Sequence, residues 1–168
     1  MNARRLGTVL AVVLTSAILQ AVCGPLVQIH GARPDFVVVF IACCGALSGP
    51  IGGMAAGFWG GLLSAALVDT YSGSLLVSRL ASGAVCGWLQ QMVVRDSLVV
   101  PPLVTLAGTL AAEAVTLVMT PESRAHGWIR VLFGAALYNM VLSIPAWLLL
   151  RKLGLSSVPK HPFDLRGS

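Results

Sequence analysis

Glycine recurs at every fourth position in one apolar stretch, and this spacing restricts what the chain can fold into. The stretch runs from Gly45 to Asp69 and contains Gly45, Gly49, Gly53, Gly57 and Gly61. Residues four apart share one face of a helix, so the glycines form a stripe without side chains. In water each Gly costs a helix about 1 kcal/mol relative to Ala, whereas in a bilayer such a stripe lets helices approach closely. The spacing predicts a packing groove in a membrane helix that ends in a carboxylate.

The same stretch is too long for one membrane span. No charged residue occurs over the 33 positions from Phe36 to Val68, whereas one span needs about 20 residues. Ser48, Gly49 and Pro50 predict a turn, because Pro lacks an N–H group and Gly tolerates unusual dihedral angles. We expect a hairpin of two short helices, at 35–48 and 51–68.

Composition places most of the chain in lipid. Hydrophobic residues make up 57% and charged residues 10%, against about 25% charged in soluble proteins. The prediction is an all-α, polytopic six-helix transmembrane bundle over residues 1–150, followed by a disordered cytoplasmic tail at 151–168. Apolar runs predict the other four helices at 6–23, 75–94, 98–119 and 131–150. The first run also fits a secretory signal peptide, but its length before Pro25 favours an uncleaved helix.

Positive charge predicts the orientation of the bundle. Six helices put both termini on one side, and that side carries seven Lys and Arg residues against four on the other. Cytoplasmic flanks are enriched in Lys and Arg, so we expect a multi-pass protein of the bacterial inner membrane with both termini cytoplasmic. The basic residues are scattered between apolar runs, which does not suggest a nucleic-acid-binding arm.

Three ionisable residues lie inside apolar spans or at their rims: Asp69, Arg79 and Glu113. Each would cost about 2.5–3.5 kcal/mol at the bilayer centre. Arg79 and Glu113 lie at similar depths from one side of the membrane, so Arg79 is expected to pair with Glu113 or Asp69. Two alternatives remain. Arg79 extends to the headgroups while Asp69 only caps a turn, or these residues form a relay for protons or a substrate.

Further small residues extend the stripe pattern. Gly83 and Gly87 share a face of the fourth predicted helix, and Gly108 and Ala112 share a face of the fifth. These stripes serve either packing within the bundle or docking of a partner, and the spacing alone leaves both open. Three polar residues are expected to hydrogen-bond between helices: Gln90 and Gln91 near the end of the fourth predicted helix, and Asn139 in the sixth.

The sequence lacks the motifs of catalysis and of cofactor binding. It contains no phosphate-binding loop, HExxH or GxSxG motif. The four cysteines lie in apolar runs without CxxC spacing or a neighbouring histidine, so no metal site or disulfide framework is implied. We expect a protein that is not an enzyme, with no catalytic residues and no cofactor.

One group of motifs resembles a known family. Arg33-Pro34-Asp35 is followed by an apolar helix, Gly49-Pro50, Gly53, Gly57-Phe58, Gly61-Leu62 and Asp69. Over residues 33 to 80 this order resembles the rod-shape-determining protein MreD, a family of small bacterial inner-membrane proteins with five or six helices. After the aspartate turn the family usually shows a Leu-Gly pair, which residues 75–78 lack.

The resemblance implies a non-enzymatic scaffold of the cell-elongation machinery. Such a protein would bind MreC, act with MreB, RodA and a class B penicillin-binding transpeptidase, and support peptidoglycan synthesis at the lateral wall. Pro34 and Asp35 would define the start of the second helix, the glycine stripe would seat a helix, and Asp69 would hold the outer end. Replacing Gly57 or Gly61 by leucine is then expected to abolish assembly without preventing insertion.

A second class of membrane protein also fits the pattern. The substrate-binding S component of an energy-coupling-factor vitamin importer is a small six-helix bundle with a similar plan. Its ligand site needs polar and aromatic groups in an outward pocket. The candidates in the outer half are Asp69, Tyr71, Arg79, Glu113, Trp128 and Asn139. An ion-coupled transporter is less favoured because no inverted repeat is evident.

Overall fold

The fold is all-helical, as expected. A computed structural model describes residues 3–24, 26–28, 32–67, 72–92, 99–121 and 128–153. Within these ranges there are five helices: α1 (Ala3–Cys23), α2 (Phe36–Leu67), α3 (Ser72–Met92), α4 (Val100–Met119) and α5 (Trp128–Lys152). The predicted count of six is therefore not reached.

The difference in helix count arises in α2, which runs through the predicted turn as one element. Its backbone leaves the helical region at Gly49, with φ 77° and ψ −171°, immediately before Pro50. The two halves of α2 then lie side by side, because a methyl group on Gly60 would come 2.7 Å from Ile41 Cδ1. In a straight helix these two positions would be about 28 Å apart. The helix thus doubles back on itself where the turn was predicted.

The other helix boundaries differ from the predicted ones by a few residues. α3 begins at Ser72, three residues before its predicted start at 75, and α5 continues to Lys152, two residues into the predicted tail. Within α5 the guanidinium of Arg151 lies 5.1 Å from the Trp147 ring centre. Residues 154–168, where the rest of the tail was predicted, lie outside the described residues.

α2 is the centre of the bundle and packs against each of the other four helices. Its first half is buried almost throughout and forms the main core with α1 and α5. That core includes Val9 and Val13 of α1, Val37 and Ile41 of α2, and Trp147 and Leu150 of α5. A second core joins α2 to Cys86 of α3 and to Val100 and Val104 of α4. Burying a large aliphatic side chain contributes about 1.5–3 kcal/mol in water, whereas in lipid close packing itself carries the stability.

Three of the described helices are long and apolar enough to cross a membrane. These are Phe36–Leu67, Val100–Met119 and Ile129–Lys152, and the apolar part of α1 at Gly7–Cys23 is shorter. Large apolar side chains also cover the outside of the bundle, such as Ile18 on α1 and Phe133, Leu137 and Val141 on α5. Contiguous apolar surface of this kind indicates a protein–protein or membrane interface. Together these features indicate a membrane protein.

Two ends of the bundle can be distinguished by their contacts. The first holds the end of α1, both ends of α2, the start of α3, the end of α4 and the start of α5, and we call it the Asp35 end. At the other end, Gly87 near the end of α3 lies against the kink at Gly49 and Pro50, so we call it the Gly49 end.

Candidate functional site

The glycine stripe of α2 is filled by α3 of the same chain. A methyl group on Gly57 would overlap the carbonyl oxygen of Arg79 and lie 2.9 Å from Leu80 Cα. One on Gly61 would lie 2.8 Å from Leu76 Cα. Such distances are too short for a carbon–carbon contact, whose optimum is about 3.5–4.0 Å. The backbone of α3 therefore occupies the groove.

The second stripe, on α3, meets the first directly. A methyl group on either Gly53 or Gly83 would overlap the carbonyl oxygen of the other. Towards the Gly49 end, a methyl group on Gly87 would lie 2.5 Å from Pro50 Cα, and one on Gly45 would lie 3.0 Å from the Gly87 nitrogen. Of the two uses that the sequence left open, these glycines serve packing within the bundle.

The third small-residue stripe also packs internally. A methyl group on Gly108 of α4 would overlap Cys86 Sγ and lie 2.9 Å from Ser82 Oγ, both on α3. Ala112, one turn further on, is buried. Gly108 thus brings α4 close to the side of α3 that carries Ser82 and Cys86.

Asp35 is the centre of a polar site at the start of α2. Its Oδ1 accepts a hydrogen bond of 3.0 Å from the backbone N–H of Val38, which is the geometry of a helix N-cap. Its Oδ2 accepts a hydrogen bond of 2.5 Å from Arg79 Nη2 of α3. Pro34, the preceding residue, is buried. Asp35 therefore defines the start of α2, as the family resemblance implied, and it also joins α2 to α3.

The remaining helices contact the same site through neutral side chains. Asn139 of α5 accepts a 2.8 Å hydrogen bond from the backbone N–H of Asp35 and donates one of 3.2 Å to Thr109 Oγ1 of α4. Gln20 of α1 accepts a 2.8 Å hydrogen bond from the backbone N–H of Phe36. All five helices thus meet in a network that we call the Asp35 junction: Gln20, Asp35, Arg79, Thr109 and Asn139.

Among the described residues, the partner of Arg79 is Asp35 and not the predicted Glu113. Asp35 directly precedes the apolar run of α2, so the sequence analysis considered it only as the start of a helix. The Arg79 side chain is 12% exposed, so it turns into the bundle and does not snorkel. Asp69 lies outside the described residues.

Two cavities flank the Asp35–Arg79 ion pair. One, of about 290 Å³, lies between α1, α2 and α3 and is lined by residues that include Gln20, Ser64 and Leu75. The other, of about 220 Å³, lies between α2, α3, α4 and α5, with Glu113 in its wall. Arg33, Asp35 and Arg79 line both cavities. Of the aromatic candidates for a ligand pocket, Tyr71 and the Trp128 side chain are outside the described part of the chain.

Two members of the junction were not predicted from the sequence. Gln20 is the one amide in an otherwise apolar run, and a buried amide needs hydrogen-bond partners, so it carried a usable signal. Thr109 had none, because a threonine in a membrane helix commonly bonds its own backbone, as Thr109 also does to the Thr105 carbonyl. Asn139 was expected to bond between helices, and this is confirmed. Gln90 was expected to do the same, but its buried side-chain oxygen has no hydrogen-bond partner among the described residues.

The described residues contain no group of three or more His, Cys, Asp or Glu side chains that could hold a metal ion. Neither a protein-family model, nor a curated protein, nor a solved structure matches this chain. The fold and the site therefore define a class only: an all-helical protein of membrane character whose helices meet at a half-buried ion pair.

Proposed function

We propose that this chain is a non-enzymatic scaffold of the bacterial inner membrane, related to MreD, that binds MreC and supports cell elongation. The observation that carries the proposal is where the motifs of the resemblance lie. Arg33-Pro34-Asp35 begins α2 at the Asp35 junction, Gly49-Pro50 forms the kink, and the stripe seats α3. The motifs thus form one structural unit, as expected if they share an origin with the family.

The chemistry of the junction supports a scaffold more than an enzyme. The Asp35 carboxylate accepts hydrogen bonds from both Val38 and Arg79. The Asn139 amide accepts one hydrogen bond through its oxygen and donates another through its nitrogen. Groups committed to holding helices together are poorly suited to gain or lose protons in a reaction, because each change would break a packing contact.

The proposed arrangement in the membrane counts the two halves of α2 as separate short spans. Six spans then place both termini in the cytoplasm and the Asp35 end on the outer side, in a plan similar to that of an S component. The count of Lys and Arg in the sequence supports this orientation, with seven on the cytoplasmic side against four on the outer side. Among the exposed ones, Arg151 and Lys152 lie at the Gly49 end and Arg33 and Arg130 at the Asp35 end.

The surface proposed for MreC is the outward row of α2, formed by Met54, Phe58 and Leu62. In the pairs Gly57-Phe58 and Gly61-Leu62 the glycine faces α3, and the residue that follows it is exposed, at 43% for both Phe58 and Leu62. The groove itself is occupied, so a partner must contact what lies beside it. MreB, RodA and the class B transpeptidase would join the same assembly.

Co-purification from detergent followed by mass spectrometry tests this proposal. The full chain should retain MreC, and a Phe58→Ala, Leu62→Ala double variant should retain at least about tenfold less, because apolar anchors dominate interfaces. Phe133→Ala, Leu137→Ala is the matched control, since both residues are exposed on α5. Absence of MreC from the wild-type complex, or equal loss in both double variants, would contradict the proposal.

The two cavities favour one alternative function. Pockets of about 290 and 220 Å³ beside the half-buried Asp35–Arg79 ion pair approach the size of small-molecule sites, so an S component of a vitamin importer is the second candidate. A small organic ligand that co-purifies at a one-to-one ratio, together with an energy-coupling partner instead of MreC, would establish it.

A further inference from the structure

We propose that the 290 Å³ cavity between α1, α2 and α3 binds the phosphate group of an acidic ligand, with Arg33 as the principal donor. Two sources share this chemistry: the headgroup of an anionic phospholipid, and free phosphate from the solution. The inference needs neither MreC nor any role in cell shape, so it stands apart from the proposed function.

The balance of charge around the cavity favours an anion. Its described lining contains three charged residues, Arg33, Asp35 and Arg79. Asp35 is already engaged by Arg79, whereas Arg33 Nε donates to the neutral amide oxygen of Gln28 at 2.7 Å. Arg33 therefore has no carboxylate partner among the described residues, and this part of the lining holds two cations against one carboxylate. A guanidinium presents a planar set of donors that matches a phosphate group.

The remaining lining suits a ligand that is polar at one end. Gln20 and Ser64 add hydrogen-bonding groups, while Ala21, Leu67 and Leu75 supply apolar surface. α1 packs on α2 and makes no helix contact with α3 in the described segments, so a cleft remains between α1 and α3. The small side chain of Ala21 keeps this cleft open, and the junction of a lipid headgroup with its glycerol carbons matches such a lining.

The neighbouring 220 Å³ cavity is a weaker candidate for the same ligand. It shares Arg33, Asp35 and Arg79 with the first cavity but adds the carboxylate of Glu113. The charges of its described lining therefore balance, and a second carboxylate would repel an approaching phosphate.

The test measures lipid binding to the purified full chain in detergent by native mass spectrometry. Phosphatidylglycerol should bind about tenfold more tightly than phosphatidylcholine with the same acyl chains, which corresponds to about 1.4 kcal/mol. Arg33→Gln should remove this preference. Arg130→Gln should keep it, because Arg130 is an exposed arginine at the start of α5 that lines neither cavity.

A second pair of variants separates binding in the cavity from general attraction to positive charge. Ala21→Leu fills the cleft without changing any charge and should weaken phosphatidylglycerol binding, whereas Val22→Leu, at an exposed neighbour outside the lining, should not. If millimolar inorganic phosphate competes with phosphatidylglycerol, free phosphate is a sufficient ligand. If it does not compete, the ligand is the lipid. Equal binding of the two lipids, or equal losses in Arg33→Gln and Arg130→Gln, would overturn the proposal.

Discussion

The two carboxylate oxygens of Asp35 bind different helices, so substitutions of Asp35 and of Arg79 remove different numbers of contacts. Oδ1 caps α2 through Val38, and Oδ2 pairs with Arg79 of α3. Loss of the carboxylate removes both contacts, whereas loss of the guanidinium removes one. The Asp35 side chain is 26% exposed against 12% for Arg79, so an unpaired Asp35 also keeps more contact with water.

We therefore expect Asp35→Ala to destabilise the protein more than Arg79→Ala. Asp35→Ala loses a helix cap worth about 1 kcal/mol. It also leaves the Arg79 guanidinium without its carboxylate partner, and removing one member of a buried ion pair costs up to about 3–5 kcal/mol. Asp35→Asn should fall between the two, because its amide oxygen can still cap α2. Thermal unfolding in detergent measures these differences, with Arg130→Ala as a control within about 0.5 kcal/mol of wild type.

The double variant supplies the decisive comparison for this pair. If the two residues interact, Asp35→Ala with Arg79→Ala should cost less than the two single changes together. Additivity within about 0.5 kcal/mol would show that the ion pair contributes nothing.

Asn139 gives a second prediction at the scale of single residues. Asn139→Ala leaves the Asp35 N–H and the Thr109 hydroxyl without their inter-helix partner, so we expect a loss of about 1–3 kcal/mol. Val141→Ala, a 69% exposed position on the same helix, should change the melting temperature little. Equal changes in melting temperature for the two variants would show that the Asn139 hydrogen bonds do not stabilise the protein.

Sequence reasoning located most residues of this site but not their pairing. Helical spacing and charge cost identified Arg79 and Asn139, because polar groups in apolar runs must find partners. The same reasoning cannot say which partner, since Asp35 and Glu113 lie at similar depth on different helices. The answer depends on how closely α2 and α3 approach, and that distance is a property of the packed bundle.

At the scale of elements, α2 and α3 pack closely because glycines line the contact between them. Gly53, Gly57 and Gly61 of α2 face the backbone of α3, and Gly83 and Gly87 of α3 face α2 in return. Period-four spacing predicted a groove, and Gly49-Pro50 predicted the reversal, because both follow from local geometry. The helix that fills the groove could not be predicted, since any helix with a matching stripe would fit.

Gly57→Leu is accordingly expected to unfold the α2–α3 pair itself. A leucine there would overlap the Arg79 carbonyl and the Leu80 backbone, and overpacking of this kind typically costs about 1–3 kcal/mol or more. Gly73→Leu is the matched control, because nothing lies within 4 Å of a methyl group at Gly73. Size-exclusion chromatography and thermal unfolding of the isolated chain check this. A monodisperse, stable Gly57→Leu protein would contradict the packing described here.

Gly49 is required for its backbone conformation and not for the absence of a side chain. No atom lies within 4 Å of a methyl group there, but its φ of 77° with ψ of −171° belongs to a region that is nearly restricted to glycine. Gly49→Ala should therefore cost about 1–3 kcal/mol. Gly7→Ala, at an open position inside α1, should be neutral or slightly stabilising. Equal melting temperatures for the two variants would show that the kink relaxes without cost.

At the scale of the whole molecule, the proposed orientation is open to direct labelling. In a Cys23→Ser background the other cysteines are buried, so an introduced cysteine can be read alone. We expect Arg33→Cys, at the Asp35 end, to react with a membrane-impermeant maleimide in intact cells. Lys152→Cys, at the Gly49 end, should react only after permeabilisation. The reverse pattern would invert the orientation and leave the fold unchanged.

The doubling back of α2 at Gly49 also has a consequence for how the protein is made. α2 leaves the ribosome before α3, and until residues 72–92 follow, its bare glycine face has nothing to pack against. We therefore expect α2 to reach its final packing only after α3 has entered the membrane beside it.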